Sequence, residues 1–102
     1  MFDKDRYVTK GAREKLPVLL EVLLWDLVEL ARGETDLDYL QVFELSPLGK
    51  KLEGRSIQRI RHFQEQPPYE REMLVSVEQP VREKIYIIDS GEYSTLLLPR
   101  EY

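Results

Sequence analysis

Residues 16–33 read LPVLLEVLLWDLVELARG, and this stretch decides the fold because its apolar residues recur at steps of three and four. That spacing predicts an amphipathic helix with one broad face turned towards a core. Pro17 suits the first helical turn, where a missing N–H costs nothing, and Gly33 suits the left-handed position that closes a helix. We therefore expect one long helix over residues 16–33.

A second apolar stripe of the same helix is formed by Val18, Val22 and Trp25, which fall among acidic residues on roughly the opposite side. A domain of this size rarely wraps a helix completely, so the stripe needs its own cover. That cover is either the N-terminal arm, residues 1–15, or a second copy of the chain. Val18, Val22 and Trp25 are thus the candidate self-association residues of a homodimer.

Strand-like segments alternate with turns after the helix. They are expected over residues 38–45, 56–65, 69–77, 84–88 and 93–98. The segment 46–54 contains proline and glycine and is expected to form a loop or a long hairpin connection. The last two strands flank Asp-Ser-Gly-Glu, which predicts a hairpin.

A single α+β domain over residues 1–102 is predicted by this order of elements. We expect one long N-terminal amphipathic helix packed on an antiparallel sheet of about five strands, arranged as a β-meander over residues 38–99. The segment 38–45 is apolar on both faces and should be a central strand. Within the arm, the alternating fragment 6–9 forms either a short edge strand or an extended segment lying on the domain.

Composition narrows the class of function. The 102 residues include 15 basic and 19 acidic ones, and the formal net charge of −4 disfavours attraction to a phosphate backbone, so direct nucleic-acid binding is not expected. The absence of cysteine removes disulfides, thiolate nucleophiles and cysteine zinc sites, and it fits the reducing cytoplasm, where we expect the protein. Acidic residues interrupt the most apolar segment, so membrane insertion is not expected.

A cluster of basic residues between positions 50 and 61 contains one acid, Glu53. Its members are Lys50, Lys51, Arg55, Arg59 and Arg61. The cluster predicts a local positive patch, which either binds an anion or is an ordinary solvated face of a loop and a strand.

The only histidine, His62, begins a polar row on the second predicted strand. Because side chains alternate, His62, Gln64 and Gln66 share one face, and Pro67-Pro68 ends the strand just before Tyr69. One interpretation is a binding site, formed by His62, Gln64, Gln66 and Tyr69, for a peptide, a base or a small polar ligand. The other is a solvated sheet face whose amides form cross-strand hydrogen bonds.

Catalysis receives little support from the sequence. A histidine acting as a base needs a nucleophile or a substrate proton within reach, and no nucleophile motif or phosphate loop accompanies His62. One histidine without cysteine does not make a zinc site, and the acids Glu34, Asp36 and Asp38 have no calcium-loop spacing. We therefore expect no catalytic residue, no metal and no cofactor.

Several segments together resemble a known family. They are Tyr7–Gly11, the helix around Leu24-Trp25, Leu37–Leu45, His62 with Gln64–Tyr69, and Lys84–Tyr102. The family consists of small uncharacterised proteins, grouped as a domain of unknown function, from low-GC Gram-positive bacteria and their mobile elements. The resemblance covers nearly the whole chain, departs from the family pattern in the longer basic connection Ser46–Arg55, and transfers no catalytic residues.

Three functions remain open. The first is a non-enzymatic interaction module with a protein partner, which the two-faced helix and the lack of a reactive constellation favour. The resemblance adds a phage or mobile-element inhibitor that blocks a host nucleic-acid-handling enzyme, such as a CRISPR nuclease, with Glu34, Asp36 and Asp38 competing for its basic groove. The third is a small hydrolase that uses His62.

Overall fold

Six strands form one mixed sheet in the computed structural model, which describes the backbone of residues 1–102 and the side chains of residues 1–49 and 53–102. The strands are β1 (Asp5–Val8), β2 (Leu40–Leu52), β3 (Arg55–Gln64), β4 (Tyr69–Val77), β5 (Glu83–Asp89) and β6 (Tyr93–Leu97). Their order across the sheet is β1-β6-β5-β2-β3-β4, so β1 and β4 are the two edges.

The expected antiparallel meander of about five strands is wrong in two respects. Strand β1 is a sixth strand and runs parallel to β6, with Asp5 opposite Tyr93. Strand β5 pairs with β2 instead of lying beside β4, which places Tyr86 opposite Val42. The physical reason is that β2 is apolar on both faces and takes the centre of the sheet, where β3 and β5 pair with its two sides.

Of the two alternatives for residues 46–54, the loop is wrong and the long hairpin connection is confirmed, because β2 continues to Leu52 and pairs with β3 from Arg55 onwards. Beyond Leu45, β2 pairs with β3 alone, so one side of the strand is free and Pro47 is tolerated there. The chain reverses at Glu53 and Gly54, whose φ angles of 52° and 81° suit a type I′ hairpin turn.

The arm of residues 1–15 contains β1 and a short helix, α1 (Lys10–Lys15), so the long helix is not the first element of the chain. Thr9 caps the start of α1, because its hydroxyl accepts a hydrogen bond from the N–H of Ala12 at 3.1 Å. Ala12 itself is buried in the core. The arm is thus an integral part of the sheet and its covering layer.

The long helix α2 (Val18–Arg32) follows Pro17 and ends before Gly33, so the predicted helix is confirmed apart from residues 16, 17 and 33. The left-handed closure expected at Gly33 is wrong, because its φ of −76° and ψ of −11° are right-handed. One core joins Leu20, Leu24 and Val28 of α2 to strand residues such as Phe43 and Ile85. Burying each large apolar side chain stabilises the fold by roughly 1.5–3 kcal/mol. Of the helices that the described residues form, none combines the length and apolar composition required of a membrane span.

Candidate functional site

His62 lies on the helix-facing side of β3, and 0% of its surface is exposed. Its ring stacks on Phe43 with the centroids 4.3 Å apart, and its Nε2 lies 2.6 Å from Oε1 of Gln41. The amide nitrogen of Gln41 donates to the Asp38 carbonyl at 2.9 Å and to Oε1 of Gln64 at 2.7 Å. Gln41 Oε1 is therefore an acceptor, so Nε2 of His62 carries the proton and Nδ1 carries the lone pair.

Gln64 is the third buried polar side chain beside His62 and Gln41, and its hydrogen bonds fix two connecting segments to the sheet. Its Oε1 also accepts a hydrogen bond from the N–H of Asp38 at 3.0 Å, while its amide nitrogen donates to the carbonyls of Asp36 and Pro67, both at 2.8 Å. Two donor hydrogens and two acceptor lone pairs are thereby used. We call Gln41, His62 and Gln64 the polar cluster, and its contacts hold the chain before β2 and the turn after β3.

The polar cluster is poorly suited to acid–base catalysis at neutral pH. Burial lowers the pKa of His62 to about 4, and the positive charge of Arg71 acts in the same direction. An effective general base has a pKa near the operating pH, so this imidazole is a weak base at pH 7. Nδ1 has no hydrogen-bond partner among the described residues, and it is enclosed, so a substrate in solvent does not reach it.

The predicted binding row is not brought together as one accessible surface. His62 and Gln64 are buried, whereas Gln66 is exposed in the turn after β3 and Tyr69 is half-buried at the start of β4. The Tyr69 hydroxyl donates to Oε2 of Glu34 at 3.1 Å. The row faces the helical layer because period-two alternation puts it on the same side of β3 as the core residue Ile60.

Two of the three acids before β2 are engaged within the chain. Glu34 pairs with the guanidinium group of Arg71. The Asp38 carboxylate accepts hydrogen bonds from the backbone N–H of Tyr39 at 2.8 Å and of Gln66 at 3.1 Å. These carboxylates therefore stabilise local structure.

The predicted self-association stripe is divided by the N-terminal arm. Trp25 is only 8% exposed, and the guanidinium carbon of Arg6 lies 4.8 Å from the centroid of its ring. Arg6 is held in place by Glu29 at 2.8 Å. Val18 is 72% exposed and Val22 is 50% exposed. The arm thus covers the Trp25 end of the stripe within one chain, and the valine end faces solvent.

The predicted anion patch is largely neutralised by acidic neighbours. Its ion pairs are Arg59–Glu72 at 2.6 Å, Arg61–Glu44 at 2.7 Å and Arg61–Glu70 at 2.8 Å. Arg55 donates to the hydroxyl of Ser76 at 2.9 Å. The side chains of Lys50 and Lys51 lie outside the described residues. Arg59 and Arg61 therefore offer little uncompensated positive charge to an anion.

An aromatic surface lies on the sheet face opposite the helices. Strand register places four apolar side chains in one row across neighbouring strands: Phe63, Val42, Tyr86 and Leu97. The next row consists of Leu40, Ile88, Thr95 and Tyr7. We call these two rows the aromatic belt. Its members share a face because they occupy directly opposite positions on paired strands.

Further tyrosine rings extend the aromatic belt. Tyr93 meets Tyr7 edge to face with the centroids 5.5 Å apart, and Tyr102 meets Tyr86 in the same way at 5.9 Å. Tyr7, Tyr93 and Tyr102 are exposed, whereas most of the aliphatic residues of the belt are nearly buried. The rings therefore cover the aliphatic side chains of the belt and present their own edges and hydroxyl groups to solvent.

Ion pairs border the aromatic belt at Phe63. The guanidinium carbon of Arg61 lies 4.4 Å from the centroid of the Phe63 ring. Hydrogen bonds to Glu70 and Glu44 raise the pKa of Arg61, and the same contact with Arg61 lowers the pKa of Glu70. The surface thus has an apolar centre and a polar margin whose charges compensate each other.

The aromatic belt and Gln41 were not found by sequence reasoning. Each belt residue resembles an ordinary strand residue, and the rows exist only once β5 lies beside β2. Gln41 carried a detectable signal, because it is a polar residue on the strand face that it shares with the aromatic residues Tyr39 and Phe43. Such a position predicts a buried amide with internal partners.

Comparison with known proteins gives a family and a related fold. Residues 5–101 match the model of a family described as "Staphylococcal protein of unknown function (DUF960)". A crystal structure of a protein of unknown function from Enterococcus faecalis is similar, with a TM-score of 0.71 and 26% sequence identity, over 98% of this chain and 92% of that chain. No curated protein matches the chain. The resemblance to an uncharacterised Gram-positive family is confirmed, and the chain belongs to the staphylococcal family of unknown function DUF960.

Proposed function

We propose that the protein is a non-enzymatic protein-binding module that docks a protein partner on the aromatic belt. The observation that carries this proposal is a set of tyrosine, phenylalanine and aliphatic side chains in register on the sheet face opposite the helices. Tyrosine is enriched among the residues that dominate binding energy at protein interfaces. An apolar centre with a polar margin is also the usual anatomy of such interfaces.

The charge around the aromatic belt favours a protein over a nucleic acid as the partner. Arg59 and Arg61 at its margin are already paired with glutamates. A phosphate backbone would have to displace those carboxylates, whereas an apolar patch on a protein leaves them in place. We therefore expect a partner with an apolar patch whose polar groups meet the tyrosine hydroxyls.

The alternative functions have less support from the geometry. A hydrolase using His62 would need access to a fully buried and neutral imidazole. A mobile-element inhibitor presenting Glu34, Asp36 and Asp38 would have to release Glu34 from Arg71 and Asp38 from two backbone N–H groups.

Removing two exposed rings tests the proposal without opening the core. The variant combines Tyr7→Ser with Tyr102→Ser, and Val18→Ser on the exposed side of α2 is the matched control. Affinity capture with the three proteins identifies species that depend on the aromatic belt, and titration of the purified species gives their affinities. We expect the double variant to bind at least tenfold more weakly, a loss of about 1.4 kcal/mol, and the control to bind like the wild type.

Footprinting of the complex locates the contact independently. A bound partner should protect Tyr7 and Tyr102 from hydroxyl radicals and leave the exposed residue Val22 reactive. The proposal fails if the double variant binds every captured partner as tightly as the wild type, or if the partner protects α2 instead of the belt.

A further inference from the structure

The edge strand β4 has few of the features that keep sheet edges from pairing with other strands. Natural edges are commonly protected by proline, lysine, a bulge or short length. The nine residues of β4 include neither proline nor lysine, and the strand pairs with β3 from Gln64↔Tyr69 to Ser56↔Val77 without a register shift. The other edge, β1, has only four residues. β4 is thus the long, regular edge of the sheet.

The charged residues of β4 are compensated by contacts inside the same chain. Their pairs are Glu70 with Arg61 at 2.8 Å, Glu72 with Arg59 at 2.6 Å, and Arg71 with Glu34. An approaching strand would therefore not meet an uncompensated charge, which is the usual deterrent at a natural edge.

The middle of β4 is apolar on both sides of the sheet. Leu74 is 53% exposed on the side of the aromatic belt, and Met73 and Val75 are partly buried on the helix side. Next to the end of the strand, Val77 and Leu19 of α2 line a cleft of about 380 Å³. The edge therefore offers apolar side chains beside its outward-facing backbone groups.

Self-pairing of β4 has a register that matches these side chains. Antiparallel pairing about a two-fold axis at Leu74 sets Leu74 opposite Leu74 of a second copy, and Met73 opposite Val75. Glu72 then meets Ser76 and Arg71 meets Val77. The one like-charge pair, Glu70 opposite Glu78, lies at the end of the ladder, where Arg61 and Arg55 already pair with these carboxylates. Moving the axis to Glu72 would instead set two carboxylates opposite each other, which is destabilising.

We propose that the occupant of this edge is β4 of a second copy, in a homodimer whose two six-stranded sheets join through an antiparallel ladder centred on Leu74. The two-fold axis is perpendicular to the sheet, so both aromatic belts face the same side. The dimer does not depend on the function proposed for the belt. It does double the surface available to a belt-binding partner.

Mass measurement by sedimentation is the first test. We expect the wild type to be dimeric at about 10 µM, the weak end of the affinities typical of standard-sized interfaces. Leu74→Lys should be monomeric because it sets two ammonium groups opposite each other. Val18→Lys, an equally polar change at the open end of the helix stripe, should remain dimeric. Thermal unfolding of each variant checks that it is folded.

Charge complementation then tests the register. Leu74→Glu should also be monomeric alone, whereas an equimolar mixture with Leu74→Lys should recover the dimer mass, because a carboxylate now faces an ammonium group across the axis.

Disulfide trapping gives a measurement that does not require a charged variant to fold. The chain contains no cysteine, so a single introduced cysteine can link only to its copy. Directly opposite Cα atoms on antiparallel strands are about 4.5–5.5 Å apart, which suits a disulfide. Leu74→Cys should therefore oxidise to a covalent dimer, and the control Ser76→Cys should not, because residue 76 faces residue 72.

The proposal is overturned by a wild type that is monomeric at about 10 µM, the concentration set by the expected affinity. It is equally overturned if the dimer survives Leu74→Lys in a folded protein, or if Val18→Lys abolishes it. Should Leu74→Lys fail to fold, the cysteine pair decides: equal cross-linking of both variants, or of neither, refutes pairing about Leu74.

Discussion

Acidification should weaken the fold through His62, because the folded protein holds this imidazole neutral. Burial lowers its pKa to about 4, against an ordinary value of 6.5. At pH 5 an unfolded histidine is about 97% protonated, whereas one with a pKa of about 4 is about 9% protonated. The unfolded state therefore binds the extra proton, so this histidine's contribution to stability is complete above pH 6.5 and is lost as the pH falls towards 4.

The size of the effect follows from the two pKa values. A difference of about 2.5 units corresponds to about 3 kcal/mol once both states are protonated, and about 2 kcal/mol of this is lost by pH 5. For a domain of this length, 2 kcal/mol lowers the unfolding temperature by roughly 8–16 °C. An effect of this size is readily separated from experimental error.

Urea unfolding at pH 7.5 and pH 5, followed by the emission of the single tryptophan Trp25, measures the change. The matched control is His62→Gln, whose amide can still donate to Oε1 of Gln41 but does not titrate. We expect the wild type to lose about 2 kcal/mol more than the control between the two pH values. Equal losses in the two proteins would refute the argument that His62 is buried in its neutral form.

Three further predictions concern contacts made by other polar side chains. Gln58→Leu should lower the free energy of unfolding by about 3 kcal/mol in urea denaturation, because Gln58 donates to the carbonyls of Ser46 and Val81 and accepts the Val81 N–H at 2.7 Å. The exposed control Gln79→Leu should change the free energy of unfolding little. Equal effects of the two substitutions would show that the hydrogen bonds of Gln58 do not stabilise the fold. Arg6→Ala should shift the emission of Trp25 to longer wavelength, since it removes the covering guanidinium group, whereas Arg82→Ala should not; an unchanged spectrum would show that Arg6 does not shield the ring. Arg61→Ala should lower the unfolding temperature only slightly despite two ion pairs, because these are partly exposed, and the loss measured by thermal unfolding should shrink at high salt. A large loss that does not change with salt would contradict this reasoning.

The elements that were predicted correctly are those whose type and bounds are determined by their own residues. Helix α2 is marked by apolar residues at helical spacing between Pro17 and Gly33, and it was placed within two residues of its observed ends. The strand Tyr69–Val77 alternates at period two after a proline pair, and its predicted bounds agree with β4. Both signals are local, so a sequence is sufficient to detect them.

Strand order and burial could not be obtained in the same way. Strand β5 could pair with β4 or with β2. The choice depends on which strand edge is left open for pairing by residues about forty positions earlier, and the turn residues do not determine it. The polar row of His62 and Gln64 was predicted as a row, but its burial depends on which sheet face α2 covers. The hydrogen-bond partners of Gln64 include carbonyls of two separate connections, whose positions only the complete fold determines.

The parallel pairing of β1 with β6 orders the steps by which the chain can fold as it is made. Of the six strands, β1 is translated first and its neighbour in the sheet, β6 (residues 93–97), is translated last. The β2–β3–β4 hairpins can form on a nascent chain, but β1 must wait until β6 has left the ribosome. Until then Arg6 has no fixed place over Trp25, so this part of the helix surface stays open until β6 is available to pair with β1.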